Sequence, residues 1–191
     1  MDTDSLAGSI REAVGKFIAS NYKATRLIIH FYKDLSKKEL KPIIDTLHAL
    51  GLPIPVTVVT INKTESKELL AFDIDNEKLM PYSGTIVKVA PKEYLLFNNT
   101  RYEATSAPTV REHHFPVKIS FFSSQAELVE DPATINQLSD QVYQFSRMYW
   151  KSVSQQNLPV TIKYPEMVAE IFPFFTHDKL PDFGKESLWF L

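Results

Sequence analysis

Apolar positions along the chain switch repeatedly between a helical and an extended period, which predicts a mixed α/β unit. Leu6, Ile10, Val14, Phe17 and Ile18 recur at helical spacing and predict a helix over Ser5–Asn21. Arg26–Tyr32 is a β-branched and aromatic run that predicts a strand. Ser36 and Glu39 stand at the spacing of a capping box, with Leu35 placed to staple onto Leu40. A helix starting there would carry Pro42 in its interior, so an opening at Pro42 itself is the alternative. Either way the helix runs to Leu50 and stops at Gly51, whose freedom at positive φ suits the residue after a C-cap.

Pro53 and Pro55 then feed a strand over Val56–Ile61, and Leu69–Phe72 reads as a further short strand. Thr85–Val89 and Glu93–Phe97 predict a hairpin across Ala90-Pro91-Lys92, and Phe115–Phe122 predicts the last strand. The strongest helical pattern is Ala133–Val153, where Ile135, Leu138, Val142, Phe145 and Tyr149 form one apolar stripe. A shorter helix is expected to start at Tyr164-Pro165, with the proline in its first turn. No repeat, low-complexity tract or linker divides the chain, so residues 1–191 read as one unit.

Composition narrows this picture. With 44% hydrophobic and 12% aromatic residues, the chain can bury a sizeable core. The absence of cysteine excludes disulfides and thiolate metal sites and fits an intracellular protein. No apolar run is long enough to span a bilayer and the start, Met1-Asp2-Thr3-Asp4, is acidic, so a cytoplasmic location without membrane contact is expected. A net charge of −2 argues against a free-standing, non-specific nucleic-acid binder. Locally, however, Gln141–Pro165 contains Arg147, Lys151 and Lys163 and no acidic residue. That segment is either a solvated helix face or a phosphate-facing one.

Several chemistries lack their residues. Asp73 and Asp75 read as a polar turn and lack the pattern of an EF-hand loop. His113 and His114 are adjacent, so in extended chain they point to opposite faces and cannot chelate one ion together. There is no nucleophile elbow and no phosphate-cradling glycine loop. Trp150 reads either as a core residue or as a stacking surface.

The C-terminal stretch carries a family resemblance. Asn157-Leu158-Pro159-Val160-Thr161-Ile162-Lys163-Tyr164-Pro165-Glu166-Met167-Val168-Ala169 and the end Trp189-Phe190-Leu191 resemble the close of the PIWI domain in prokaryotic Argonautes, the short, catalytically inactive forms most of all. In the same order upstream, Ile29-His30-Phe31-Tyr32-Lys33-Asp34, Pro55–Lys63, Gly84-Thr85-Ile86-Val87 and Ala104-Thr105-Ser106-Ala107-Pro108 are similar to further PIWI segments.

The resemblance implies the C-terminal portion of a PIWI domain, without MID, PAZ or N-terminal modules. Its fold would be a partial RNase H-like α/β fold, a mixed sheet flanked by helices. Of the family's catalytic tetrad only Asp34 and Glu166 fall near expected positions, so neither is assigned a catalytic role. Thr105 and Ser106 would contact guide phosphates. Ala107 stands where eukaryotic relatives carry arginine, so Arg101, Arg111 or Lys118 would substitute, alongside Arg147, Lys151 and Lys163. The carboxylate of Leu191 would bind the guide's 5′-phosphate through a bridging Mg²⁺, with Leu188-Trp189-Phe190 anchoring the tail.

The function implied is to hold the guide 5′ region and the guide–target duplex without cleavage. The partners implied are guide and target nucleic acid, with a second polypeptide carrying MID and the N-terminal part of PIWI, or a homo-oligomer. Half of a guide-directed nuclease completed by another chain, and a structural partner-docking subunit, are the alternatives.

Overall fold

A computed structural model of the chain describes residues 3–20, 23–63, 71–77, 79–101, 115–151 and 157–175. The elements are α1 (Thr3–Ala19), β1 (Leu27–Phe31), α2 (Lys37–Ala49), β2 (Val56–Asn62), β3 (Thr85–Ala90), β4 (Glu93–Phe97), β5 (Val117–Ser123), α3 (Pro132–Ser146) and α4 (Val160–Ile171), with short 3₁₀ turns at Ala126–Val129 and Phe172–Phe174. The five strands form one mixed sheet in the order β1-β2-β5-β4-β3. β1 and β2 are parallel, in register from Leu27 opposite Val56 to Phe31 opposite Thr60, while the β2–β5, β5–β4 and β4–β3 pairs are antiparallel.

β2 shows why the sheet is covered on both faces. Its residues from Val56 to Ile61 are all buried, the continuous apolar and β-branched run of a central strand rather than an alternating one. Val56 and Val58 pack with Leu40, Ile43 and Leu47 of α2, and Leu6, Ile10 and Val14 of α1 close over that cluster. Val59 and Ile61 face the other way, joining Ile119 and Phe121 of β5 and Ile135, Leu138 and Val142 of α3. The helices thus lie as two layers around the sheet.

Helix ends follow local chemistry. Ser36 caps α2 by accepting from the Glu39 amide while the Glu39 carboxylate accepts from Ser36 N at 2.8 Å, so the capping-box start holds and Pro42 lies inside the helix. At the other end Gly51 takes φ 72°. Its N–H donates to His48 O and that of Leu52 to Leu47 O, which is the Schellman pattern.

α3 is shorter than its apolar stripe predicts. The Ser146 hydroxyl donates to Tyr143 O at 2.6 Å. The Arg147 N–H, which would take that carbonyl in a continuing helix, turns to Gln144 O at 2.9 Å instead, and the helix stops. α4 starts earlier than predicted. Pro159 is its N-cap, and Pro165, the expected first-turn residue, lies inside it. The predicted strand at 69–72 falls partly outside the described residues, and Ala71 and Phe72 are not in a strand. The hairpin and last strand lie within two residues of their predicted bounds.

Candidate nucleic-acid interface

The block Asn157–Ala169 fastens α4 to the sheet. Asn157 Nδ2 donates to Phe115 O at 3.1 Å, and the Asn98 amide donates to Asn157 O. Leu158 and Val160 are buried. In the first turn of α4, Thr161 Oγ1 lies 2.7 Å from His30 Nδ1, and the edge of the His30 ring meets Phe145 of α3 at 5.7 Å between centroids. His30 therefore ties β1 to both helices of this face. A histidine amid Leu27-Ile28-Ile29-His30-Phe31 was the only sequence signal for that role.

Burial pushes the His30 pKa from 6.5 down to about 4. The folded state thus binds fewer protons than the unfolded state between those values. Stability is expected to be full above pH 6.5 and to fall as pH drops toward 4, by up to about 1.4 kcal/mol per pH unit. The caps Glu39 and Asp131 have their carboxyl pKa lowered by hydrogen bonds, from Ser36 first and from Thr134 first respectively. Their contributions fade only in the more acidic carboxylate range. Urea midpoints at pH 7, 6 and 5 should therefore decline in the wild-type chain and flatten in His30→Asn; equal slopes would exclude His30 as the source.

The two acidic candidates stand on opposite sides of the sheet at one end. Asp34 follows β1, is exposed, and accepts from Ser120 Oγ at 3.0 Å. With Lys33, Thr60, Asn62, Lys118 and Ser120 it lines a polar recess of about 80 Å³. Thr60 and Ser120 share the α2 side of the sheet, as the alternation from Val58 and Phe122 requires. Glu166 sits on α4, on the other side, between Lys163 Nζ at 3.2 Å and Lys63 Nζ at 3.7 Å. Among the described residues no three His, Asp or Glu side chains gather where they could hold a metal ion.

The basic candidates divide. Arg101 is only 4% exposed, paired with Asp73, donating from Nε to Met80 O at 2.6 Å, with its guanidinium 3.6 Å from the centre of the Tyr82 ring. Its charge is used inside the protein, not presented to a phosphate. Asp73 and Asp75 do form a turn, the Asp75 N–H donating to Asp73 Oδ1 at 3.1 Å. Lys118 pairs with Glu93 at 3.0 Å.

Arg147 and Lys151 are exposed on the segment that follows α3. Tyr149 leans against Tyr164 of α4, 6.2 Å between ring centroids, which brings this segment beside the helix that carries Lys163. Trp150 lies outside the core at 72% exposure, against the core reading, because α3 ends before it. Thr105, Ser106, Arg111, His113, His114 and Leu191 lie outside the described residues.

The family model for the Piwi domain matches residues 3–177. A "Piwi protein" of Archaeoglobus fulgidus is 26% identical over 177 residues, covering 87% of this chain and 41% of its own length. This chain therefore spans about two-fifths of that relative. In fold, the chain is similar to a solved structure described as "Crystal structure of Aa-Ago with externally-bound siRNA", with a TM-score of 0.61 and 13% identity over 92% of this chain and 21% of that one. The five-stranded mixed sheet with its flanking helices matches part of the RNase H-like PIWI fold, and no described helix is long and apolar enough to cross a membrane. A match that starts within α1 and runs past the block fastening α4 to the sheet takes in the whole described architecture, and the chain belongs to the Piwi domain family.

Proposed function

We propose that this chain is the guide-binding part of an Argonaute PIWI domain, gripping the backbone near the guide 5′ end and the guide–target duplex without cutting either strand. One observation carries the reading. Arg147 and Lys151 are exposed together on the segment between α3 and α4, and no carboxylate occurs from Gln141 to Pro165. Cations exposed on a segment whose own sequence carries no acid suit phosphate contacts. Lys163 joins them from α4, shared with Glu166. Thr105, Ser106 and Arg111 enter as further phosphate contacts on the strength of the family motif.

Absence of cleavage is part of the proposal. It is supported by the separation of Asp34 and Glu166 across the sheet and by the two lysines that hold Glu166. Two-metal hydrolysis needs carboxylates that converge on one point. Asp34, exposed at its recess, is the single feature favouring the rival, half of a nuclease completed by another chain.

A second polypeptide carrying MID and the N-terminal part of PIWI, or a second copy, is proposed as the partner. β1 is an edge strand, paired among the described residues with β2 alone, and such an edge accepts a further strand.

The carboxylate of Leu191 is proposed to meet the guide 5′-phosphate through Mg²⁺, a cation suited to oxygen ligands. The test is a comparison of 5′-phosphorylated and 5′-hydroxyl single strands in Mg²⁺. A chain ending at Leu191 is expected to prefer the phosphate, and one extended beyond Leu191 should lose that preference. Equal affinity for both strands in both proteins would remove the terminal carboxylate from the account.

A further inference from the structure

Trp150 is the most exposed large hydrophobic side chain among the described residues between α3 and α4. It is 72% exposed, and Met148 beside it is 57% exposed. A large flat indole left in water carries a hydration penalty that burial against a ligand would relieve. Its place is fixed from below: α3 ends at Ser146, and Tyr149 is held against Tyr164 of α4. Trp150 therefore projects from an anchored segment. On either side in sequence stand exposed cations, Arg147 and Lys151.

An aromatic face between cations, with no carboxylate from Gln141 to Pro165, is complementary to one kind of polymer. That polymer carries negative charges along its backbone and flat rings between them. A polypeptide partner of ordinary composition would match the indole but not the local excess of positive charge.

We propose that Trp150 is a base-stacking platform that takes an unpaired nucleobase of the bound strand, while Arg147 and Lys151 hold phosphates on either side of it. The inference rests on the nucleic-acid reading above and adds to it a preference for single-stranded over duplex nucleic acid at this point. Paired bases are already stacked on their neighbours and offer no free face. Stacking of this kind tolerates any base, since every base has a π-face.

The test uses the full chain, a single-stranded oligonucleotide of about 16 nucleotides, long enough for a typical single-strand site, and the same strand annealed to its complement. Affinity is read by anisotropy of a labelled strand and stacking by tryptophan emission on titration with unlabelled strand. Trp150 and Trp189 are the only tryptophans, so quenching that disappears in Trp150→Phe is assigned to Trp150. Trp150→Ala should weaken single-strand binding by about tenfold and leave duplex binding nearly unchanged. Trp150→Phe should keep most of the affinity.

Binding without quenching, and with Trp150→Ala equal to wild type, would overturn the platform while leaving the nucleic-acid reading in place. Trp150 would then be assigned to a polypeptide contact. Equal losses on strand and duplex would also overturn it. If the wild-type chain binds neither probe, both readings fail together.

Discussion

Replacing Arg101 with alanine is expected to lower the thermal midpoint of the chain by about 10 °C. The guanidinium is buried and paired with Asp73, donates to Met80 O and lies over the Tyr82 ring. It also joins the segment before β3 to the segment after β4, where Tyr82 and Arg101 form an isolated bridge and the Ser83 N–H donates to Arg101 O at 2.7 Å. Truncation leaves the Asp73 carboxylate and a carbonyl without their donor and opens a cavity beside the ring. Asp73→Ala should be of similar severity, since it leaves a buried cation short of its counter-charge. Thermal melts followed by circular dichroism decide this. A midpoint within a degree or two of wild type would mean that Arg101 is free to act elsewhere, including on phosphate.

The second large effect is on binding. Neutralising Arg147 and Lys151 together should weaken single-strand binding at least tenfold at low salt and flatten its salt dependence. Each phosphate contact to a single strand contributes about 0.7 to the slope of log affinity against log salt, so two should remove about 1.4. The double variant Arg147→Gln, Lys151→Gln should fold normally, because both side chains are exposed. Titrations at several salt concentrations give the slope directly. A loss of affinity with an unchanged slope would point to altered packing of the α3–α4 segment and not to lost phosphate contacts.

What was legible in the sequence was mostly local. The capping box of Ser36 and Glu39 and the stop at Gly51 depend on residues a few positions apart, and both stand in the structure. The β-branched and apolar runs likewise placed the five strands in chain order, and the fold likeness bears out the mixed sheet that the resemblance implies. Element ends failed where a side chain competed for a backbone group or a proline was tolerated. Ser146 ended α3 early through the Tyr143 carbonyl, and Pro165 sits inside α4 because Pro159 had already begun it.

Site chemistry was less legible because partners distant in sequence decide it. Glu166 offered a carboxylate, but its capture by Lys63 joins the end of β2 to α4 and leaves no local signature. Arg101 looked available for phosphate because Asp73 is far away along the chain. Trp150 shows how a misplaced helix end leaves a side chain undecided. The apolar stripe runs on through Tyr149 and predicts a longer helix, which keeps the core reading of Trp150 open beside the stacking one; α3 ends at Ser146, and the structure leaves the indole outside.

A chain that holds a guide and its target without cutting them keeps a paired target bound and intact. The most direct measurement loads the full chain, with its co-purifying polypeptide if one is present, with a 5′-phosphorylated guide. A labelled complementary target and a scrambled one are then added in Mg²⁺ and in Mn²⁺, and both retention and target length are followed. Guide-dependent retention of the complementary target alone, at full length, is expected in wild type and in Asp34→Ala alike. Failure to retain the complementary target would contradict guide binding, and guide-dependent shortening that vanishes in Asp34→Ala would contradict the absence of cleavage.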